Sequence, residues 1–212
     1  MKKYRQGQYW GRFADSYDRN GAYVVGKTIL HEIANNLMQE RSLGNAIEFG
    51  CGTGYFTKTI AENAKHIIAT DLSDEMLEVA RKQLRKFKNI TIKKMDCANT
   101  SLNSESFDGV IMLNLIHVIE DPLRCLQESY RILKDRGVLI IVDFTAYQLS
   151  FIKKMKLILK YLITWGLPPH HHQGNMSTNE LVCLAESAGF EMNKVKLLKD
   201  GSNAIYLRCE KK

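Results

Sequence analysis

The chain has 212 residues, of which 45% are hydrophobic and 25% are charged. This length and balance predict one globular domain of a soluble protein and exclude a disordered or collagen-like chain. The net charge of +7 suggests nucleic acid or an anionic membrane surface as a partner, whereas five cysteines without a CxxC pair argue against a disulfide framework or a zinc ribbon and favour a reducing, cytoplasmic location.

An aromatic-rich segment at residues 4–23 opens the chain and holds six of its 19 aromatic residues. A helix is predicted to follow at about 22–38. The first residues lack the apolar stretch of a signal peptide, so we expect none.

The middle of the chain alternates short apolar runs with amphipathic segments. Strands are predicted at 45–49, 66–70, 90–95, 107–113 and 137–144. Helices are predicted between them at 54–64, 73–86 (capped by Ser73) and 121–134. Strands that alternate with helices indicate βαβ units and a parallel sheet.

The pattern changes after the fifth strand. A basic and apolar helix at about 148–166 meets the loop GLPPHHHQGN, and a helix at 177–188 follows, capped by Ser177 or Thr178 with Glu180 near the capping-box position. Two strands at 190–198 and 203–209 are joined by a turn at Asp200–Gly201 and predict a hairpin at one edge of the sheet.

The charge excess lies at the two ends of the chain. Residues 1–44 carry a net charge of +3, residues 45–150 of −1, and residues 151–212 of +5. The predicted sheet is therefore nearly neutral, and its charge does not by itself indicate nucleic acid.

The strongest local signal is the glycine-rich loop EFGCGTG at residues 48–54, directly after a strand and before a helix. Glycines let the backbone turn sharply and approach a ligand closely, and a helix N-terminus offers free N–H groups. Asp71 ends the next strand, where an acid can accept hydrogen bonds from both ribose hydroxyls. Together these features predict a cofactor of the adenosine type rather than a ligand-free turn.

The spacing of the glycines bears on which cofactor binds. The dinucleotide fingerprint is GxGxxG, whereas this loop reads GxGxG and is preceded by Glu48. A carboxylate there would repel a pyrophosphate and suits a cationic amino acid tail better. An NAD-dependent reductase is the alternative that this spacing disfavours.

The successive motifs EFGCGTG, ATDLSDEML, MDCA and FDGVIMLNLIHVIEDP resemble those of class I S-adenosylmethionine-dependent methyltransferases, in particular the type 11 small-molecule branch with its ubiquinone and menaquinone methyltransferase-like members. The resemblance covers about residues 10–145. It implies an α/β, Rossmann-like three-layer sandwich with a seven-stranded, mostly parallel sheet and an antiparallel C-terminal strand. We expect one domain over 1–212, divided into an N-terminal helical lid (1–44), a cofactor-binding core (45–146), a helical cap inserted after the fifth strand (147–189) and a C-terminal hairpin (190–212).

The resemblance also implies the residues that bind S-adenosylmethionine. Those matching the first motif, beside the methionine moiety, are Glu48, Gly50, Cys51, Gly52 and Gly54, with Thr53 in the same loop. Asp71 matches the ribose-binding acid, and Leu72 and Met76 match positions that pack on the adenine. Asp96 and Cys97 match the pair whose carboxylate faces the adenine amino group, although Asp96 also suits a turn or a helix cap.

Asn114 matches a position beside the methionine moiety and the reacting sulfonium. His117 follows three residues later and is the candidate general base, because the ordinary pKa of histidine suits proton transfer near neutral pH. Methyl transfer needs a base only if the acceptor loses its proton early, so packing against the sheet is the alternative role of His117. Tyr17 is the second candidate catalytic residue, in a lid whose aromatic rings exclude water and face the sulfonium cation; simple core packing is its alternative.

Two features lie outside these motifs. For His170, His171 and His172 we favour an exposed loop over a role in the acceptor pocket, and no metal site is expected, because three adjacent histidines cannot face one point. The segment 151–166 reads as a core-covering helix with a lysine face, or as a cap over a lipophilic acceptor that touches a membrane surface. Its four lysines argue against a membrane-spanning helix.

The sequence therefore predicts methyl transfer from S-adenosylmethionine to a small, apolar or aromatic acceptor by in-line displacement. A tRNA- or rRNA-modifying methyltransferase is the main alternative, and nucleic acid is disfavoured because no Asn/Asp-Pro-Pro-aromatic tetrad and no Pro-Cys dipeptide occurs. A methyltransferase-like protein that binds the cofactor without turnover is another alternative. The acceptor atom and the oligomeric state are left open.

Overall fold

The computed structural model describes residues 6–41, 43–169 and 172–212. Seven strands form one sheet in the order β3-β2-β1-β4-β5-β7-β6. Their bounds are β1 Asn45–Phe49, β2 His66–Asp71, β3 Ile90–Lys94, β4 Phe107–Leu113, β5 Leu133–Thr145, β6 Glu191–Asp200 and β7 Ser202–Glu210. Neighbours among β1 to β5 are parallel, whereas β7 runs antiparallel to both β5 and β6. The predicted sheet with an antiparallel C-terminal strand is confirmed.

Eight α-helices surround this sheet in the described residues. They are α1 Gln6–Gly11, α2 Tyr17–Val25, α3 Lys27–Gln39, α4 Thr57–Ala61, α5 Asp74–Leu84, α6 Pro122–Ile132, α7 Phe151–Trp165 and α8 Thr178–Ser187. The predicted caps of α5 and α8 are confirmed: the Ser73 hydroxyl accepts from the Met76 N–H, and Ser177 with Glu180 forms a capping box.

Two predicted helices differ from the structure. The helix expected at 22–38 is broken at Gly26, whose φ of +97° no helical residue adopts, so α2 and α3 meet there at an angle. The helix expected at 54–64 shrinks to Thr57–Ala61, because the turn of the glycine-rich loop continues through Phe56. Both differences come from glycines and turns that interrupt an otherwise helical pattern.

The two faces of the sheet form two core layers. Along β4, Val110 and Met112 join the cluster that packs against α6 and α8, whereas Ile111 and Leu113 join the cluster that contains α3. This alternation follows from the two-residue period of a strand. It produces the three-layer sandwich and leaves the carboxyl ends of β1, β2 and β4 at one edge.

That edge is covered by the beginning of the chain and by the segment after β5. Helix α1 contacts α5, and α2 contacts α7. Among the described residues no helix is both long and apolar enough to cross a membrane.

Candidate active site

A cavity opens at the carboxyl ends of β1, β2 and β4, where ligands of parallel sheets bind. Twelve of the fourteen residues predicted from the sequence line it: Tyr17, Glu48, Gly50, Cys51, Gly52, Thr53, Asp71, Leu72, Met76, Cys97, Asn114 and His117. Gly54 and Asp96 do not line it. The fold therefore brings most of the predicted site residues together around one cavity.

The glycine-rich loop turns through left-handed backbone conformations that favour glycine. Gly50 and Gly52 have φ angles of +70° and +55°. A Cβ on Gly50 would lie 2.8 Å from Leu115 Cδ1. Gly54, at φ +82°, lies away from the cavity, and a Cβ there would lie 2.7 Å from Leu84 Cδ1. Gly54 therefore shapes the loop from behind, while Gly50 and Gly52 border the space a ligand would fill.

Glu48 is a buried acid at the base of this loop. It is 1% exposed, and its Oε2 accepts a hydrogen bond from Thr57 Oγ1 at 2.6 Å. Burial raises the pKa of Glu48 to about 7, the bond from Thr57 opposes that rise, and the nearby charge of Asp71 adds to it. A buried carboxyl of this kind fits a cationic group such as the amino group of a methionine tail.

Asp71 joins the loop to the start of α5. Its Oδ2 accepts from the Gly52 N–H and its Oδ1 from the Ser73 N–H, both at 2.9 Å. Burial raises the pKa of Asp71, and the backbone N–H donors counteract part of that effect. Each carboxylate oxygen has a second lone pair, so the group can also accept hydrogen bonds from a ribose.

An apolar wall continues from Asp71. Leu72 is 40% exposed within the lining, whereas Met76 is 2% exposed. Gly7 of α1 lies against Leu72, and a Cβ at Gly7 would lie 3.1 Å from the Leu72 carbonyl. A flat ring such as adenine fits between such surfaces.

Asp96 lies elsewhere. It is exposed, and its Oδ1 accepts from the Ala98 N–H at 2.9 Å in a local turn. Its two neighbours, Met95 and Cys97, line the cavity, whereas Asp96 does not. In this conformation the Asp96 carboxylate stabilises the turn after β3, and Asp96 is not part of the cavity lining.

Asn114 lines the cavity directly after β4. Its φ is +58°, its N–H donates to the Val142 carbonyl at 2.6 Å, and its buried Oδ1 has no hydrogen-bond partner in the described residues. A buried acceptor without a partner costs free energy unless a ligand satisfies it. Together with Glu48 and Asp71, this oxygen fits the polar groups of S-adenosylmethionine.

Tyr17 lies beside Asn114. Burial raises the pKa of Tyr17 to about 12, although the Asn114 side chain opposes the shift. The hydroxyl therefore stays protonated at neutral pH and cannot act as a general base. Its ring stacks on Trp165 with centroids 6.1 Å apart, so Tyr17 can serve as a wall and a hydrogen-bond donor.

The first helices are fastened over the cavity at two points. The Tyr9 hydroxyl lies 3.0 Å from the carbonyl oxygen of Trp165, the last residue of α7, and 3.0 Å from that of Leu167. Asp18 accepts hydrogen bonds from Thr53 in the glycine-rich loop and from Gln83 of α5. Opening the cavity would break both sets of contacts.

His117 has a partner that sequence reasoning missed. Its Nδ1 hydrogen-bonds with the Asp143 carboxylate on β5, and its backbone N–H donates to the other carboxylate oxygen at 3.1 Å. Both side chains are at least 90% buried. This contact favours the tautomer with the proton on Nδ1, which leaves Nε2 as the acceptor nitrogen of a residue that lines the cavity. The only available signal in the sequence was an acid near the end of the apolar strand GVLIIVDF.

His172 corrects the expectation of an exposed histidine loop. Its ring lies 4.9 Å from that of His117 in an edge-to-face contact, and it lines the cavity. Burial lowers the pKa of His172 to about 4, and His117 contributes to the shift, so His172 is neutral at pH 7. His170 and His171 lie outside the described residues.

One part of the cavity wall is apolar, and we call the space beside it the apolar chamber. Its walls include Phe144 and, from α7, Leu157, Tyr161 and Trp165. The Tyr161 hydroxyl is buried without a hydrogen-bond partner in the described residues. This chamber can hold a small apolar molecule that carries a polar group.

The sequence of this chain is similar to those of known methyltransferases. Residues 47–141 match the family described as a methyltransferase domain. A demethylmenaquinone methyltransferase of Tropheryma whipplei (strain Twist) is 22% identical over 211 residues, which cover 93% of this chain and 88% of that one. A ubiquinone biosynthesis O-methyltransferase of Haemophilus ducreyi is 25% identical over 194 residues, 85% and 80% of the two chains.

A solved structure shares nearly the whole fold. It is described as an S-adenosylmethionine-dependent methyltransferase, possible histamine N-methyltransferase, from Thermotoga maritima. It is 26% identical and superposes with a TM-score of 0.75 over 98% of this chain and 100% of that one.

Proposed function

Because this chain is an S-adenosylmethionine-dependent methyltransferase, we propose that it methylates a small, apolar or aromatic molecule that carries an ionisable hydroxyl. The observation that carries this proposal is the apolar part of the cavity wall, to which the first helices and α7 contribute. The printed names of the relatives, which include quinone and O-methyltransferases, support a small-molecule acceptor.

The residues of the loop side have distinct tasks in this proposal. Glu48 and the partnerless Asn114 Oδ1 accept hydrogen bonds from the amino acid end, and Asp71 accepts from the ribose. When bound, S-adenosylmethionine supplies an activated methyl group for in-line displacement. The protein then has to orient the acceptor and exclude water, which Tyr17 and its neighbours in the covering helices do.

His117 acts as the general base in this proposal. Asp143 orients its ring so that Nε2 accepts the hydroxyl proton of the acceptor, and the acceptor oxygen becomes the nucleophile. The neutral ring of His172 packs beside His117 and helps to close the site without adding a second charge.

The compartment in which the protein works and the source of its acceptor are also proposals. All five cysteines are free, which supports a reducing compartment such as the cytoplasm. A lipophilic acceptor would concentrate in membranes. A membrane contact through residues 151–166 would therefore bring the protein to its acceptor.

A panel of purified acceptors tests the proposal. The protein is incubated with methyl-labelled S-adenosylmethionine and, separately, with a demethylated quinol, a simple catechol, histamine or an unmodified tRNA. We expect label in the quinol or the catechol and none in tRNA. Label in tRNA alone would replace the proposal with nucleic-acid modification, and label in histamine alone would replace the hydroxyl with an amine.

A further inference from the structure

Helix α7 presents a broad apolar surface to the outside. Twelve large apolar side chains are exposed in the described residues, and eight of them lie between residues 151 and 167. These eight are Phe151, Ile152, Met155, Ile158, Leu159, Leu162, Ile163 and Leu167. Single exposed apolar residues are ordinary, but a contiguous patch of this size marks an interaction surface.

The two sides of α7 are different in character. Leu157, Tyr161 and Trp165 face inward and line the cavity. At 100° per residue the seven exposed apolar side chains of the helix fall on a single arc on the other side. Phe151 is 78% exposed and Ile163 is 70% exposed, so the core does not account for this arc.

Lysines border the exposed arc on both sides. Lys153, Lys156 and Lys160 follow one margin and Lys154 follows the other, and no acidic residue occurs between 151 and 167. The Lys160 ammonium donates to the Tyr23 carbonyl at 3.0 Å, and that of Lys154 to Asn175 Oδ1 at 3.0 Å. These contacts hold two of the four charges at the rim of the apolar surface.

We propose that this arc, together with Leu167, docks on an anionic phospholipid surface. The apolar side chains would enter the boundary between headgroups and acyl chains, and the lysines would lie at the level of the phosphates. A helix of 15 residues is about 22 Å long, shorter than a hydrocarbon core of about 30 Å, so α7 lies along the surface.

A second copy of this chain fits the same arc poorly. An antiparallel or parallel pairing of two α7 helices would bring the lysines that border each arc close to those of the other. No acid on α7 is present to compensate them, whereas phosphate groups would. The charge pattern therefore favours a lipid surface.

The docking would also serve the proposed function, and this role of the docking rests on that function. The same helix separates the lipid from the apolar chamber, because its other side carries Tyr161 and Trp165. A lipophilic acceptor would thus be taken up beside the surface in which it dissolves.

Vesicle co-sedimentation tests the docking without any acceptor. The full chain is mixed with vesicles of phosphatidylcholine alone and with vesicles that contain roughly 30% phosphatidylglycerol. We expect binding to the anionic vesicles that weakens as salt is added. Phe151→Gln with Leu159→Gln should weaken it at least about tenfold, and Lys153→Gln with Lys156→Gln by about fivefold per lysine.

Matched controls separate this site from general stickiness. Lys86→Gln with Lys88→Gln removes the same charge near the opposite edge of the sheet, and Met38→Gln with Val195→Gln removes other exposed apolar side chains. Both controls should bind like the wild type. Equal losses in the controls, no binding to either vesicle, or a dimer that Leu159→Gln dissociates would each overturn the proposal. Methyl transfer to histamine alone or to tRNA alone, with intact vesicle binding, would contradict only the proposed acceptor.

Discussion

Glu48 is the residue at which burial sets the response of the site to pH. The folded protein raises its pKa from 4.5 to about 7. Between these values the folded state keeps a proton that the unfolded state has lost, so stability falls as pH rises through this window and levels off above it. In the cofactor-free protein this loss amounts to up to about 3 kcal/mol.

Glu48→Gln should abolish that part of the pH dependence. Chemical denaturation of the cofactor-free protein at several pH values between 5 and about 8 measures it. The exposed Glu62→Gln is the control and should follow the wild type. Parallel curves for wild type and Glu48→Gln would show that Glu48 does not titrate in this range.

Asp71→Ala should weaken the binding of S-adenosylhomocysteine by about 1.5–3 kcal/mol, because a charge-assisted acceptor for the ribose is lost. Isothermal titration calorimetry measures the change. Glu78→Ala removes an exposed carboxylate from the outer face of α5 and should leave the affinity unchanged. An unaltered affinity in Asp71→Ala would refute the ribose assignment.

His117→Ala should reduce methyl transfer by about 10²–10⁴-fold while the affinity for S-adenosylhomocysteine is retained. Asp143→Asn should lower turnover in the same direction, and the double variant should lose little more, since both act as one unit. Nitrogen NMR of the His117 ring gives a readout independent of the acceptor. We expect the Nδ1–H tautomer in the wild type and its loss in Asp143→Asn.

Asp143 and His172 show what the sequence could not supply at this scale. Glu48 and Asp71 lie at the carboxyl ends of their strands and Asn114 directly follows one, so the order of parallel strands brings them together. Asp143 reaches His117 only because β5 lies beside β4 in the sheet. His172 reaches the same ring through a loop whose path no local pattern determines.

At the scale of elements, α1 and α7 depend on each other. The Tyr9 hydroxyl contacts carbonyl oxygens at the end of α7, and the Trp10 ring meets that of Trp165 edge to face at 5.7 Å. Tyr9→Phe should cost about 1 kcal/mol of local stability and speed amide exchange in residues 6–25 about fivefold. Hydrogen–deuterium exchange measures this, with the exposed Tyr23→Phe as the control. Unchanged exchange in Tyr9→Phe would show that the hydroxyl does not fasten α1.

The elements themselves were predicted unevenly. The strands at 45–49 and 107–113 were predicted to the residue, whereas β5 begins four residues before its predicted start at 137. The break between α2 and α3 was missed, because Gly26 lies inside a helical pattern and only its φ reveals the turn. A single lysine face was predicted for 151–166, whereas in the structure lysines border the exposed apolar arc of α7 on both sides.

At the scale of the whole molecule, the charge of +7 has a defined place. The nearly neutral segment from 45 to 150 forms one side of the cavity, where we propose that the cofactor binds, and the basic segments on either side cover it. Part of the excess lies on α7, where it borders an apolar arc rather than a groove for nucleic acid. The charge distribution along the chain could be predicted from the sequence, whereas the apolar chamber behind α7 is visible only in the folded structure.

Transfer of labelled methyl groups from S-adenosylmethionine into a cell extract tests the central claim most directly. The extract is separated into lipid, small-molecule, protein and RNA fractions, and His117→Ala serves as the control. We predict that the label enters the lipid or small-molecule fraction with the wild type and falls at least about 10²-fold with the variant. Label confined to RNA or protein, or no transfer to any fraction, would contradict the account.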